Sequence, residues 1–222
     1  QNIIANAVNT IISWELTKED ITLTSLPLFH TGGFNSLTMP ILMAGGTVVF
    51  TEQFNEEEAC RYLNEYGCTI VLFVPTMYQM ITSCDYFKKH DFPTMRCFLS
   101  GGAPCPKTIY DRFAEKAIPF KEGYGLSEAG PNNFFIDPSV AFRKKGSVGK
   151  PMLFNSVKLL STQKEGEVGE LLIRGNHVFS GYWGDEKETK RTIVDGWLKT
   201  GDLARIDEDG DYYIVGRKKD MI

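Results

Sequence analysis

A short glycine-rich stretch in the middle of the chain carries the side chains with the clearest potential for chemistry. Gly123 and Gly125 flank Tyr124, and Ser127 and Glu128 follow two and three residues after the second glycine. Glycine lets a backbone turn tightly and approach a ligand closely. Tyr124 can then offer a ring face, Ser127 a hydroxyl oxygen, and Glu128 a carboxylate that suits a hard cation such as magnesium. The stretch is typical of a nucleotide-phosphate site, but the same residue types also occur in ordinary turns that cap a helix.

The composition is that of an ordinary globular protein. The 222 residues can hold one large domain or a domain with a smaller appendage. The 28 acidic and 24 basic residues give a formal net charge of -4, which provides no electrostatic footprint for nucleic acid. The five cysteines form no Cys-x-x-Cys pair, so we expect reduced thiols that pack as small apolar side chains in a cytoplasmic protein. No apolar run reaches the roughly 20 residues that span a bilayer, and we expect no transmembrane segment.

The first helix predicted from the hydrophobic pattern covers residues 3–16. Its apolar residues recur at helical spacing: Ile3, Ile4, Ala7, Val8, Ile11, Ile12 and Trp14. We expect this broad apolar face to be buried. A second buried helix is predicted from Phe34 to Met43, although Pro40 lies within it.

Strands and helices alternate from residue 21 to residue 127. The apolar runs at 68–74 and 96–100 are rich in residues that favour strands, and they are typical of strands covered on both faces. Short connections between such elements predict an α/β fold with a mostly parallel sheet flanked by helices. We assign this subdomain to residues 1–142.

Three glycine-bearing turns follow predicted strands, at residues 31–33, 101–104 and 123–125. Ligands of open α/β sheets bind beyond the carboxyl ends of the strands. We therefore expect the three turns to converge on one edge of the sheet and to form the functional site.

The pattern changes near residue 140. Short strands and tight turns follow, with strands predicted at residues 156–161, 169–174, 197–206 and 211–216. One helix is predicted near residues 186–193. These features predict a small β-rich, barrel-like subdomain over residues 143–216.

The last predicted hairpin brings two charged residues together. If Asp209 and Gly210 are the central residues of a two-residue turn, the position numbers of paired residues sum to 419 and Asp202 lies opposite Arg217. Cross-strand partners have Cβ atoms about 4.5–5.5 Å apart. The pair is either a surface ion pair, worth about 0–1 kcal/mol, or a carboxylate and a guanidinium that together hold a diol. Gly201 favours the second interpretation, but the residues alone leave both open.

Taken together, these residues make the chain resemble the adenylate-forming superfamily of acyl-CoA synthetases, aryl-CoA ligases, luciferases and peptide-synthetase adenylation domains. Five motifs occur in the family's order, at residues 26–33, 100–104, 123–128, 200–202 and 216–220. The resemblance covers nearly the whole chain and points to fatty-acyl or aryl-CoA ligases. It implies that a carboxylate and ATP form an acyl-adenylate, whose acyl group then passes to a thiol, usually that of coenzyme A.

The resemblance also implies roles for individual residues. Tyr124 resembles the ring that stacks on adenine, and Glu128 resembles the magnesium ligand. Ser127 stands near the phosphate, where the family usually has threonine, and Asp202 and Arg217 resemble the residues that bind the ribose hydroxyls. The remaining nucleotide contacts implied by the resemblance are Gly101, Gly102, Ala103, Pro104, Gly123 and Gly125.

The resemblance places the acyl substrate near the first glycine turn. His30 resembles the family's pocket histidine beside the reacting carboxylate, and Phe34 is a predicted wall of the acyl pocket, to which Gly101 and Gly125 also contribute. A lone histidine after an apolar strand is more often a packed side chain, so the catalytic role of His30 rests on the resemblance. Lys219 resembles the hinge residue about which a small terminal domain swings, and residues 217–222 are predicted to begin that hinge.

Two parts of the family's machinery are expected outside this sequence. The resemblance places a phosphate loop rich in serine, threonine and glycine just before Gln1, and a terminal domain with a catalytic lysine after Ile222. We therefore expect the chain to be a fragment of a longer protein, with little or no adenylation activity by itself.

The surroundings of His30 bear on the substrate. Peptide-synthetase domains usually carry an aspartate near this position to neutralise an amino acid's ammonium, and residues 29–36 contain none. This favours a simple fatty or aryl acid, with ATP and coenzyme A as the other small-molecule partners. An amino-acid-adenylating domain, a luciferase-like oxygenase and a non-catalytic nucleotide-binding scaffold remain open alternatives, as does homodimer formation.

Overall fold

A computed structural model describes residues 1–160 and 166–220. The helices are α1 (Asn2–Ser13), α2 (Thr31–Gly33), α3 (Met39–Ala44), α4 (Glu56–Glu65), α5 (Pro75–Ser83), α6 (Asp85–Lys89), α7 (Lys107–Glu115), α8 (Pro138–Ala141) and α9 (Glu186–Thr192). The strands are β1 (Ile21–Thr24), β2 (Thr47–Phe50), β3 (Ile70–Phe73), β4 (Cys97–Ser100), β5 (Phe120–Glu122), β6 (Phe134–Phe135), β7 (Ser147–Pro151), β8 (Ser156–Leu160), β9 (Gly169–Arg174), β10 (Ile193–Val194), β11 (Trp197–Ile206) and β12 (Tyr212–Arg217).

The first part of the chain forms parallel sheets, as the sequence predicts. Strand β1 pairs with β2, and β3, β4 and β5 pair in that order. Thr69 joins the two sheets, because its hydroxyl accepts the Ile21 N–H at 3.1 Å and its own N–H donates to the Ile21 carbonyl at 2.8 Å. The expected mostly parallel sheet is therefore divided between β1 and β3, where Thr69 bridges the two ladders.

Helices cover both faces of the parallel strands, which confirms the predicted α/β class. On one face, the rings of Phe73, Phe98, Phe113 and Phe120 surround the fully buried Tyr78, whose hydroxyl donates to the Leu99 carbonyl at 2.9 Å. On the other face, the end of α1 and helix α3 contribute to a second core, which includes Trp14, Leu37, Ile41, Leu99 and Met152. Aromatic rings thus fill one side of the sheet and mainly aliphatic side chains fill the other.

Helix α1 buries only part of the face predicted. The side chains of Asn6, Asn9 and Thr10 are buried, whereas Ile4 and Ile12 are about half exposed at 53% and 48%. The expectation of a broad buried apolar face was correct for Ala7 and Trp14 and wrong for Ile3, Ile4, Val8 and Ile12, because polar contacts orient the helix. Its buried amides and hydroxyl meet polar groups of distant loops.

The predicted helix from Phe34 to Met43 is present in two parts. Residues Phe34–Thr38 form a π-helical segment, and α3 continues from Met39. Pro40 lies where the π-helical segment passes into α3, and proline has no N–H to donate to the preceding helical turn. The helix ends at Gly45, which has a φ of 86°.

The second part of the chain forms one antiparallel sheet. Its order is β6-β7-β12-β11-β9-β8, and β10 pairs with β11. This confirms the predicted β-rich, barrel-like region with one short helix, and Ser161 of the first predicted strand lies outside the described residues. The subdomain boundary at residue 142 stays a prediction, although β6 before it already belongs to this sheet.

The turn between β11 and β12 differs from the predicted one, yet the predicted pairing is correct. Near the turn the pairs are offset by one from the expected register, with Ile206 opposite Tyr212 and residues 207–211 closing the loop. A bulge at Leu203 and Ala204 then shifts the ladder, so Asp202 lies opposite Arg217. The one-residue offset at the turn and the one-residue shift at the bulge therefore cancel, which leaves the predicted pair of Asp202 and Arg217 intact.

The five cysteines, at positions 60, 68, 84, 97 and 105, are free and buried, which confirms their expected apolar role. Burial raises the pKa of Cys97 to about 11 and that of Cys105 to about 12. These thiols therefore stay protonated near neutral pH.

Among the residues that the structure describes, no helix is long and apolar enough to cross a bilayer.

Replacing Asn132 with alanine should destabilise the fold by about 3 kcal/mol. Its buried side chain donates to the Thr10 hydroxyl at 3.0 Å and the Ser36 carbonyl at 2.8 Å, and accepts from the Ser36 hydroxyl at 3.0 Å. Buried partners left unpaired cost about 1–3 kcal/mol each. The measurement is urea unfolding followed by circular dichroism, with the exposed Asn176→Ala as control; equal stability of the two variants would contradict this role.

Candidate active site

A cleft of about 480 Å³ lies where the parallel strands meet the antiparallel sheet. The turns after β4 and β5 and the end of the β11–β12 hairpin line it. It brings together eight of the predicted nucleotide-binding residues: Gly102, Ala103, Pro104, Gly123, Tyr124, Gly125, Asp202 and Arg217. Its volume lies within the roughly 300–1,000 Å³ of small-molecule sites.

Three side chains that line the cleft are joined by a hydrogen bond and an ion pair. The Tyr124 hydroxyl donates to Asp202 Oδ2 at 2.6 Å, and Arg217 Nε lies 3.2 Å from Asp202 Oδ1. Burial raises the pKa of Tyr124, and the charge of Asp202 adds to this effect, so the phenol remains a donor at neutral pH. The Asp202 N–H donates to the Thr200 hydroxyl, which in turn donates to the Leu171 carbonyl at 2.8 Å. The carboxylate is thus fixed from both sides.

Two glycines of the site meet different constraints. A Cβ added at Gly125 would lie 2.1 Å from the Pro131 carbonyl oxygen, so the protein's own backbone occupies the space beside its Cα. Gly201 instead has open space around its Cα and a φ of 73°, which L side chains rarely adopt. Gly125 is required for packing, and Gly201 is required for the backbone conformation that directs Asp202.

Glu128 lies in the short 3₁₀ helix after the cleft, outside its lining. Its Oε1 accepts the Tyr182 hydroxyl at 2.9 Å. Within residues 1–160 and 166–220 we find no other hydrogen bond or ion pair to this carboxylate. Magnesium prefers oxygen ligands, carboxylates among them, and only one oxygen of Glu128 accepts a hydrogen bond within these described residues. Glu128 therefore fits the predicted metal ligand. Ser127 beside it is exposed.

His30 and Phe34 do not line the cleft. His30 precedes α2 at the carboxyl end of β1 and is exposed, and the side chain of Phe34 is 38% exposed. Strands β3 and β4 separate β1 from β5, a distance of roughly 14 Å at the usual strand spacing. A cavity of only about 10 Å³ lies beside Gly33 and Leu72. The assignments of His30, Phe34 and the hinge residue Lys219 stay predictions.

Buried polar residues support the loop that carries Tyr124. The Asn133 N–H donates to the Tyr124 carbonyl at 3.1 Å, and the Asn133 side-chain oxygen lies 3.0 Å from His177 Nε2. Burial lowers the pKa of His177 to about 4. His177 is therefore neutral at pH 7 and donates its Nε2 proton to Asn133, which leaves Nδ1 unprotonated.

Sequence reasoning missed several residues of the site. Glu122, buried in the cleft wall, accepts the Tyr110 hydroxyl at 2.7 Å and the Cys105 N–H at 2.9 Å. Burial raises the pKa of Glu122. A carboxyl group in a buried strand, directly before Gly123, could have identified Glu122 as a site residue from the sequence. For Tyr182 the sequence gives a weaker indication, a pair of aromatic residues directly after Gly181.

Comparison of the sequence with known protein families agrees with the fold and the cleft. The sequence model of the family described as AMP-binding enzyme matches residues 1–183. The chain belongs to this family.

Relatives of known activity are similar over the whole chain. A feruloyl-CoA synthase of Amycolatopsis is 35% identical over 225 residues, which cover 100% of this chain and 46% of that protein. An indoleacetate–CoA ligase of Aromatoleum aromaticum is 33% identical and covers 98% of this chain and 43% of its own length. The chain thus spans less than half the length of these relatives.

Solved structures agree in fold. The O-succinylbenzoate coenzyme A synthetase of Bacillus subtilis in complex with AMP superposes with a TM-score of 0.91 at 29% identity, over 100% of this chain and 46% of that one. The same enzyme in complex with ATP and magnesium gives a TM-score of 0.90. The parallel and antiparallel parts therefore occur in the arrangement found in adenylate-forming enzymes.

Acidification should destabilise the protein through His177. Its pKa is about 4 in the folded state and about 6.5 when exposed, so the unfolded state binds the extra proton between these values. Stability is therefore lost as the pH falls from about 6.5 toward 4, by on the order of 2 kcal/mol between pH 7 and pH 5. Urea unfolding at both pH values should show a smaller loss for His177→Gln. The exposed His90→Gln is the control and should behave as the wild type; an unchanged loss in His177→Gln would exclude His177 as the cause.

Proposed function

We propose that the full-length protein is an AMP-forming acid–thiol ligase. It activates a carboxylic acid with ATP, and the carboxylate oxygen attacks the α-phosphorus as pyrophosphate leaves. The thiol of coenzyme A then attacks the acyl carbon, and AMP leaves. The observation that carries the proposal is the meeting of Tyr124, Asp202 and Arg217 in one cleft, 78 and 15 residues apart in sequence.

The chain's own groups suit a nucleoside. Tyr124 packs edge-to-face on Phe134 with ring centroids 5.9 Å apart, and this contact holds the ring at the cleft wall for an adenine. Asp202 accepts the protons of the ribose hydroxyls while Arg217 donates to the hydroxyl oxygens. Glu128 would hold magnesium, which offsets charge on the phosphate oxygens when bound.

The acid is proposed to be an aryl acid. The feruloyl, indoleacetate and succinylbenzoate relatives all take aromatic acids by name. Residues 27–36 contain no acidic side chain that could neutralise a substrate ammonium, which disfavours amino acids. His30 and Phe34 are the proposed contacts of the acid, and Lys219 is the proposed hinge. A cytoplasmic location and a homodimer remain predictions from the sequence.

An ATP–pyrophosphate exchange screen on the full-length protein tests the activity. Ferulate, indoleacetate, 2-succinylbenzoate, a fatty acid and an amino acid are supplied in turn. We expect an aryl acid to drive exchange, and coenzyme A then to release AMP. If ATP binds but no acid drives exchange, the protein is a nucleotide-binding scaffold and the ligase proposal is wrong.

The Asp202→Asn substitution should weaken AMP binding by about tenfold or more, because a hydrogen bond to a charged group contributes about 1.5–3 kcal/mol. The loss should be larger for AMP than for 2′-deoxyAMP, since the carboxylate accepts from the ribose hydroxyls. Isothermal titration calorimetry of the full-length protein measures both affinities.

The matched control for this substitution is Asp195→Asn, an exposed aspartate in the turn before β11. It should leave both affinities unchanged. An equal loss for AMP and 2′-deoxyAMP in Asp202→Asn would show that Asp202 does not contact the 2′-hydroxyl.

A further inference from the structure

The residue Glu128 is held at two points by a single segment. The Phe179 N–H donates to the Glu128 carbonyl at 2.7 Å, and the Tyr182 hydroxyl donates to the Glu128 carboxylate at 2.9 Å. Both donors belong to the loop between β9 and α9. Main chain and side chain of Glu128 are therefore fixed together.

The Tyr182 side chain is itself firmly placed. The Tyr182 N–H donates to the Thr189 hydroxyl at 2.8 Å, and the ring packs edge-to-face on Phe179 with centroids 4.9 Å apart. A Cβ added at Gly181 would lie 2.6 Å from Thr189 Cγ2, so the approach of the loop to α9 requires glycine there. Thr189 of α9 thus fixes the position of Tyr182.

The protonation state of Tyr182 fits the role of a donor. A phenol is protonated at neutral pH, and Tyr182 offers its one proton to one carboxylate oxygen. In the described part of the chain, the second oxygen of Glu128 accepts no hydrogen bond.

We propose that Tyr182 is a positioning residue, which holds the Glu128 carboxylate in the orientation that receives magnesium with ATP. The inference rests on the proposed function, because it concerns the metal that this function requires. A ligating carboxylate held by a hydrogen bond needs no reorientation when the cation arrives, and losing such an outer contact typically reduces metal affinity or activity about 10–100-fold.

The test is Tyr182→Phe in the full-length protein, which removes one oxygen and keeps the ring. We expect the magnesium concentration for half-maximal ATP–pyrophosphate exchange to rise about tenfold, with exchange at saturating magnesium within about twofold of the wild type. AMP binding without metal should be unchanged. A purely structural role would instead lower exchange at every magnesium concentration and weaken AMP binding.

The matched control is Tyr213→Phe, because the Tyr213 hydroxyl also donates to a carboxylate, that of Asp207 at 3.3 Å, in the β11–β12 hairpin. It should leave the magnesium requirement unchanged. An unchanged requirement in Tyr182→Phe, or a loss that magnesium does not restore, overturns the inference. A wild-type protein with no magnesium-dependent exchange would refute the proposed function instead.

Discussion

The hydrogen bond from Tyr124 to Asp202 joins the two parts of this molecule at the place where a ligand would bind. Tyr124 follows the last parallel strand and Asp202 lies within the long strand of the antiparallel sheet. Neither sheet forms the cleft alone, since its walls come from both. The geometry of the site therefore depends on how the two sheets are docked, and each contact across that junction bears on the position of Tyr124 and Asp202.

Buried polar side chains provide that docking. Asn132 links the loop after Tyr124 to α1 and to the π-helical segment, and Asn133 links it to His177 in the antiparallel half. Directional hydrogen bonds fix orientation more tightly than apolar packing, and each is costly to break inside a protein. This explains why α1 presents Asn6, Asn9 and Thr10 to the interior while Ile4 and Ile12 stay exposed. The helix is oriented by its polar partners.

These long-range contacts also separate what the sequence predicts from what it does not. The alternation of strands and helices and the glycine turns follow from local patterns, because period and turn residues are encoded by near neighbours. The pairing of Asp202 with Arg217 was predicted correctly only because the offset at the turn and the shift at the bulge cancel. The burial of the polar residues of α1 depends on Asn132, 126 positions from Asn6. The contact between Tyr182 and Glu128 spans 54 positions. No local pattern encodes such partners, and for that reason the outward face of α1 and the support of Glu128 were not predicted.

The bulge in the β11–β12 hairpin limits how this region can change during evolution. Side chains of a strand alternate between the two faces of the sheet, so a shift of one residue turns each of them over. Deleting a single residue from β12 between the turn and the bulge, at Tyr212–Ile214, would shift Arg217 from opposite Asp202 to opposite Leu203, on the other face of the sheet. A substitution in the same strand leaves the register unchanged. We therefore expect natural variation in the paired strands between Asp202 and Arg217 to occur by substitution, with the lengths of these strands conserved.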